Sequence, residues 1–275
     1  MEEYRGFQEI QCDDERLPEF YGDLENNIFN CLQNEYIVVF DSDGEAKDFY
    51  RWNGKKYVLV GYKTIENEYT GTVKPRNPQQ RLAMELLYND DITVKILAGC
   101  FGSGKDYLMA SAALDLVFQG KYDKIMWVRN NIEVKNSKPL GYLPGDAFDK
   151  LLPFAMPLAD HVGGKDGLEN LISIGQIEVE HLGFIRGRDI KNTIIMCSEA
   201  ENMTREHIQL LLGRVGVGSA LWINGDYKQT DHKVFAENNG LMMAVQRLKG
   251  HPRFGFVKLL KTERSETAAM ADLLD

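Results

Sequence analysis

The sequence predicts an α/β protein in which a parallel sheet flanked by helices follows a small antiparallel β meander. Three observations carry that expectation. From Ile92 onward, apolar runs of strand length alternate with helical patterns, and such alternation folds as parallel strands joined by crossover helices. Upstream, EYIVVFDSDGEAKDFYRWNGKKYVLVGYKTI holds three β-rich runs separated by DSDG and WNGK, both good hairpin turns. Between the two regions GTVKPRNP closes the first piece, which sets a boundary near residue 72.

Residues 1–33 are acidic, polar and weakly periodic, which fits a peripheral arm better than a folding unit. Such an arm is either disordered or loosely docked, and it is open to a protein partner. Residues 34–72 are expected to form the meander and 73–275 the core. Leu82, Leu86 and Leu87 in QQRLAMELL mark the helix that opens the core. There follow strand ITVKIL, a helix after Lys105, strand KIMWVR and a helix around DAFDKLLPFAMPLADHV. Strands IEVEHL and NTIIMC, helix REHIQLLLGRV, strand ALWING, helix GLMMAVQRL, strand FGFVKLL and a last helix from Ser265 complete the order.

With 275 residues and 44% hydrophobic content the chain can bury a proper core, as one large domain or two ordinary ones. No run of eighteen apolar residues occurs and the opening MEEYRGFQEIQCDDE is acidic, so a cytoplasmic protein with no membrane partner is expected. Cys12, Cys31, Cys100 and Cys197 are too few and scattered for a disulfide framework, and neither they nor the histidines show metal-ligand spacing. The net charge of −9 belongs to the N-terminal part: residues 1–74 hold 8 Lys and Arg against 16 Asp and Glu, whereas residues 75–275 hold 24 against 25. That balance argues against sequence-independent coating of nucleic acid but leaves room for a local basic face.

In ILAGCFGSGKDY, Gly99, Gly104 and Lys105 fall at the spacing G-x-x-x-x-G-K between an apolar strand and a helix. Glycines at 99, 102 and 104 let the backbone turn tightly, so that the amides near Ser103 and the helix N-terminus converge on an anion. Lys105 then bridges phosphate oxygens, and the pattern predicts a nucleotide site over a plain strand-to-helix turn. Asp106 stands where such loops carry Ser or Thr, and at the end of TIIMCSEAEN Ser198 stands where an Asp would hold the magnesium. The two departures are complementary. Either the hydroxyl and carboxylate ligands of one Mg2+ have been exchanged, or the metal site has decayed and left an acid beside the phosphates.

Glu199 follows at a strand end, the place from which a carboxylate activates water, although a charge at a helix start is the plainer alternative. ALWINGDYKQTD carries Asp226 and Gln229 at another strand tip, and LLKTERSET carries Arg264.

Taken together, the chain resembles the PhoH-like family of P-loop ATPases, whose core is RecA-like and similar to that of helicases. The likeness runs from about Tyr36 onward, through YKTIENEYTGTVKPRNPQQRLA, GCFGSGK, YDKIMWVRNNI, LGYLPGD, FIRGRDIKNTII, SEAENMT, GRVGVGS, GDYKQTD, NNGL and KTERSE, in family order and spacing. The resemblance implies ATP and Mg2+ as cofactors, with Gln79 or Gln80 reading the adenine edge. It implies Lys105 on phosphate, Glu199 as general base, Gln229 as γ-phosphate sensor and Arg264 as arginine finger, with Arg129 and Asp226 among the nucleotide-binding residues. The departures are Cys100 and Phe101 for Pro and Ala, Asp106 for Thr, Asn130 for Pro, Ser198 for Asp and Glu201 for Gln.

By the same resemblance a hexameric ring is expected, and RNA is the expected partner through the basic segment FIRGRDIK, unless that segment is an ordinary solvated loop. Many members carry a PIN nuclease domain ahead of the meander; residues 1–33 are too short for one, and nuclease activity is expected to be absent. Two functions from different classes fit: a magnesium-dependent ATPase, or a non-hydrolysing, nucleotide-gated assembly module. A processive helicase is the weaker third, since strand separation needs coupled domains and one core is visible.

Overall fold

Residues 3–129, 153, 155–226 and 239–263 are described by the computed structural model. The chain opens with β1 (Phe7–Gln11) and α1 (Leu17–Gly22), followed by β2 (Tyr36–Phe40), β3 (Ala46–Trp52) and β4 (Tyr57–Leu59). These strands form a sheet of order β1-β2-β3-β4, antiparallel from β2 to β4 as the turn signals predict, but with β1 parallel to β2. The acidic stretch suggested as a peripheral arm is therefore built into the small sheet. Its apolar positions are sparse, Phe7 and Ile10 on the strand and Leu17 and Phe20 on the helix, yet all four are buried. Phe20 sits edge-on to Tyr57 at 5.0 Å and 5.3 Å from Phe29, so a few aromatic rings supply the burial that periodicity did not advertise.

A two-stranded ribbon follows, β5 (Ile65–Asn67) and β6 (Gly71–Val73), whose three-residue strands are too short to stand out in the sequence. Helix α2 (Pro78–Tyr88) then starts where its chemistry allows: Asn77 accepts a hydrogen bond from the Gln80 amide and Pro78 occupies the first turn.

The core comprises β7 (Val94–Gly99), α3 (Lys105–Phe118), β8 (Lys124–Arg129), α4 (Gly164–Ser173), β9 (Ile177–His181), β10 (Thr193–Cys197), α5 (Arg205–Leu212), β11 (Ala220–Gly225), α6 (Gly240–Leu248) and β12 (Phe254–Leu259). Its six strands are all parallel, in the order β12-β7-β11-β10-β8-β9. Every residue of β10 and β11 is buried, which is why TIIMC and ALWING read as continuous apolar runs. Leu82, Leu86, Leu108 and Leu114 of α2 and α3 cover one face of the sheet with Trp127 and Trp222; Ile208, Leu211 and Leu241 of α5 and α6 cover the other with Ile96 and Met126. Helix α4, flanked by glycines, was not anticipated. Of DAFDKLLPFAMPLADHV, residues 155–159 are helical as expected, while 146–152 and 154, like the helix expected from Ser265, fall outside the described residues.

The small sheet is fastened to the core. Asn34, at a φ of +67°, donates through Nδ2 to Pro252 O (3.0 Å) and Phe254 O (2.9 Å), and its Oδ1 accepts from Arg51 (2.9 Å). Arg51 also reaches Glu85 of α2 at 3.2 Å, and the Tyr36 hydroxyl donates to the same carboxylate at 2.5 Å. Lys258 N donates to Arg5 O (3.0 Å), so the N-terminal segment covers the edge of β12. The C-terminal ends of β12, β7, β11, β10 and β8 are left to gather the loops, the usual place for a ligand on an open parallel sheet.

Candidate functional site

Gly99, Gly102 and Gly104 adopt φ of +152°, +69° and +91°, values at ease only for glycine. A Cβ on Gly99 would lie 2.2 Å from Leu259 O, so neighbouring strand β12 also forbids a side chain there. Ser103 Oγ donates to Cys100 O (2.8 Å), closing the turn, and Lys105 opens α3 directly behind it. The Lys105 ammonium folds back onto Gly99 O (2.6 Å) and Cys100 O (2.8 Å). Burial lowers its pKa, against the opposing charges of Asp106, Asp226 and Glu201. Beside the loop lies a cleft of about 340 Å³, lined among others by Arg76, Gln80, Phe101, Tyr107, His161 and Glu263.

Asp106 and Ser198, the two departures from the expected pattern, meet. Ser198 is 3% exposed at the end of β10, and its Oγ donates to Asp106 Oδ1 at 2.9 Å. Asn224 of β11, 1% exposed, donates through Nδ2 to the same oxygen at 2.9 Å. Sequence reasoning missed Asn224, although a lone polar residue inside ALWING was the available signal. Two donors on one oxygen fix the carboxylate's orientation, and among the described residues no donor bonds Oδ2. A carboxylate and a hydroxyl within hydrogen-bond distance are hard oxygen donors suited to Mg2+, which takes one or two protein ligands together with substrate phosphates. Among the described residues no three His, Cys, Asp or Glu side chains converge into a metal cage.

Glu199 takes a left-handed backbone (φ +57°, ψ +43°) at the end of β10 and pairs with the guanidinium of Arg129, from the end of neighbouring β8. Glu201, 8% exposed, accepts from Asp226 N at 3.0 Å through Oε2. Desolvation above all raises its carboxyl to about 7, with the charge of Glu199 adding to the effect and Lys105 opposing it. Gln80 lines the cleft, but its amide bonds backbone groups at both ends; Gln79, beside it, is half-buried. Gln229 and Arg264 lie outside the described residues. The basic segment is largely neutralised: Arg188 pairs with Glu178 (3.0 Å) and Glu180 (2.8 Å), and Lys191 with Asp189 (3.3 Å). Arg186 and Phe184 are exposed, the latter ring 5.4 Å from His181.

Residues 72–272 match the model of the PhoH family, described as PhoH-like protein. The chain belongs to the PhoH-like family. This PhoH-like chain is 35% identical to protein PhoH2 of Bacillus subtilis, an alignment that covers 99% of it and 65% of that relative. It is 31% identical to protein PhoH2 of Mycolicibacterium smegmatis, over 72% of this chain and 46% of the relative. To a PhoH-like protein of Bacillus subtilis it is 30% identical, over 80% and 70% of the two chains. The chain thus spans less than two thirds of the two PhoH2 relatives. PhoH-like proteins are generally ATP-binding. No helix among the described residues is long and apolar enough to cross a membrane.

Proposed function

We propose that this PhoH-like chain is a Mg2+-dependent ATPase whose metal ligands have been exchanged between two elements. The observation that carries it is the 2.9 Å hydrogen bond from Ser198 to Asp106. The register of α3 and β10 sets a hydroxyl directly against a carboxylate at the two altered positions. Asp106 and Ser198 would hold the ion, which when bound neutralises phosphate charge. The amides of the glycine loop and Lys105 hold the β- and γ-phosphates, the lysine exchanging loop carbonyls for phosphate oxygens. Glu199 orients water and takes its proton, with Gln229 and Arg264 completing the γ-phosphate environment.

Phosphate release from ATP across a magnesium titration, with Lys105→Ala as the blank, tests this. Turnover that requires magnesium and vanishes in the blank supports hydrolysis. ATP binding without turnover would favour the second reading, a nucleotide-gated assembly module. One observation favours that alternative: Glu199 is paired with Arg129, and a base held by a guanidinium is a poor proton acceptor. RNA is the partner proposed for the ATPase, through exposed Phe184 and Arg186, and a hexameric ring is the proposed assembly. Salt-dependent RNA retention and molar mass by light scattering check these two points.

A further inference from the structure

Gln80 is one of the two residues, with Gln79, to which the family resemblance assigns the adenine edge, but its amide is used elsewhere. Oε1 accepts from Arg76 N at 2.9 Å, Nε2 donates to Ser103 O at 3.0 Å, and the residue is 4% exposed. Reading N6 and N7 of adenine needs one donor and one acceptor aimed outward together. Here both ends of the amide face backbone.

Those bonds belong to a closed ring. Glu263 N donates to Gly102 O (2.9 Å), Arg76 Nη1 donates to Glu263 O (3.1 Å), Arg76 N donates to Gln80 and Gln80 donates to Ser103 O. The ring pins two successive carbonyls of the loop. A peptide unit is planar and its N–H points opposite to its C=O, so fixing the carbonyls of Gly102 and Ser103 fixes the amides of Ser103 and Gly104. The Gly104 amide is one that a phosphate-binding loop turns toward its anion, while the Ser103 amide donates to Cys100 O at 3.4 Å and closes the turn beneath it. Gly104 packs against the same side chain so closely that a Cβ there would lie 3.0 Å from Gln80 Nε2.

We propose that Gln80 is a positioning residue of the phosphate cradle, acting through the Ser103 peptide, and that its loss weakens binding of the triphosphate whatever base is attached. The proposal rests on the nucleotide-binding reading above. Calorimetric affinities of the full chain for ATP, GTP and inorganic tripolyphosphate test it, in the parent, in Gln80→Met and in Gln80→Glu. Methionine keeps the volume and removes both hydrogen bonds. Glutamate keeps an acceptor for Arg76 N but sets a carboxylate oxygen against Ser103 O. In both variants all three dissociation constants should rise by a common factor of about ten, with unchanged stoichiometry. A loss confined to ATP would make Gln80 a base reader and overturn the proposal, as would three unchanged affinities. Failure of the parent to bind any of the three would instead overturn the nucleotide-binding reading and the proposal with it.

Discussion

Ser198 donates its hydroxyl to Asp106 Oδ1 at 2.9 Å, joining the end of β10 to the first turn of α3. In the family pattern a hydroxyl lies on the loop side and a carboxylate on the strand side; here the ends are reversed while a hydroxyl-to-carboxylate contact remains. Asp106→Thr removes the only carboxylate of the pair and should raise the magnesium concentration needed for half-maximal turnover at least about tenfold. Asp106→Thr with Ser198→Asp should return it to within about threefold of the parent. A double variant as poor as the worse single one would sink the exchange.

Asn224 shares Asp106 Oδ1 with Ser198 and is itself buried. Residues that orient a metal's ligands typically affect affinity about 10- to 100-fold when removed. Asn224→Ala should therefore weaken Mn2+ binding in the presence of nucleotide about tenfold, read by electron paramagnetic resonance. Nucleotide affinity in chelator should change far less. Equal losses in both conditions would assign Asn224 to the fold alone.

The parallel sheet was legible because β10 and β11 are buried on both faces and read as uninterrupted apolar runs. The glycine loop was legible because it matches a known pattern at fixed spacing, and the Asp106–Ser198 pair because both residues depart from that pattern at fixed positions. Strand β1 was not, since an edge strand with two buried side chains, Phe7 and Ile10, carries little periodic signal. Asn224 and the ring through Gln80 were hidden for another reason. Asn224 meets Asp106 across 118 positions and Arg76 meets Glu263 across 187, and no local window records such pairs.

Asn34 fastens the small sheet to the core through Pro252 O and Phe254 O while accepting from Arg51. Truncation leaves the buried Phe254 carbonyl and the buried Arg51 guanidinium short of a partner, and it also places alanine at a φ of +67°. Asn34→Ala should cost about 2–4 kcal/mol by urea denaturation. Asn34→Gly avoids the backbone strain and should recover about 1 kcal/mol of that loss. If both variants were as stable as the parent, the network would be incidental to the docking of the small sheet.

Glu201 gives the protein a pH dependence of a particular sign. Its carboxyl titrates near 7 in the folded chain against 4.5 for an ordinary glutamate, because burial disfavours the charge and Glu199 stands nearby. Between those two values the unfolded chain has released a proton that the folded chain still holds. Glu201 is therefore neutral in sign below 4.5, lowers stability progressively as pH rises from 4.5 to 7, and adds no further slope above that. A shift of this size corresponds to at most about 3 kcal/mol. Glu201→Gln, which restores the family's residue and keeps an oxygen for Asp226 N, should match the parent at pH 4.5 and exceed it by about 2–3 kcal/mol at pH 8. The difference between the two proteins in urea denaturation, followed from pH 4.5 to 8, isolates this group from every other titration. A difference that stayed constant across that range would mean that Glu201 titrates in the folded protein as it does in the unfolded chain, and is ionised at neutral pH. The lysine and the Asp226 amide facing it would then be holding a buried carboxylate rather than a carboxylic acid.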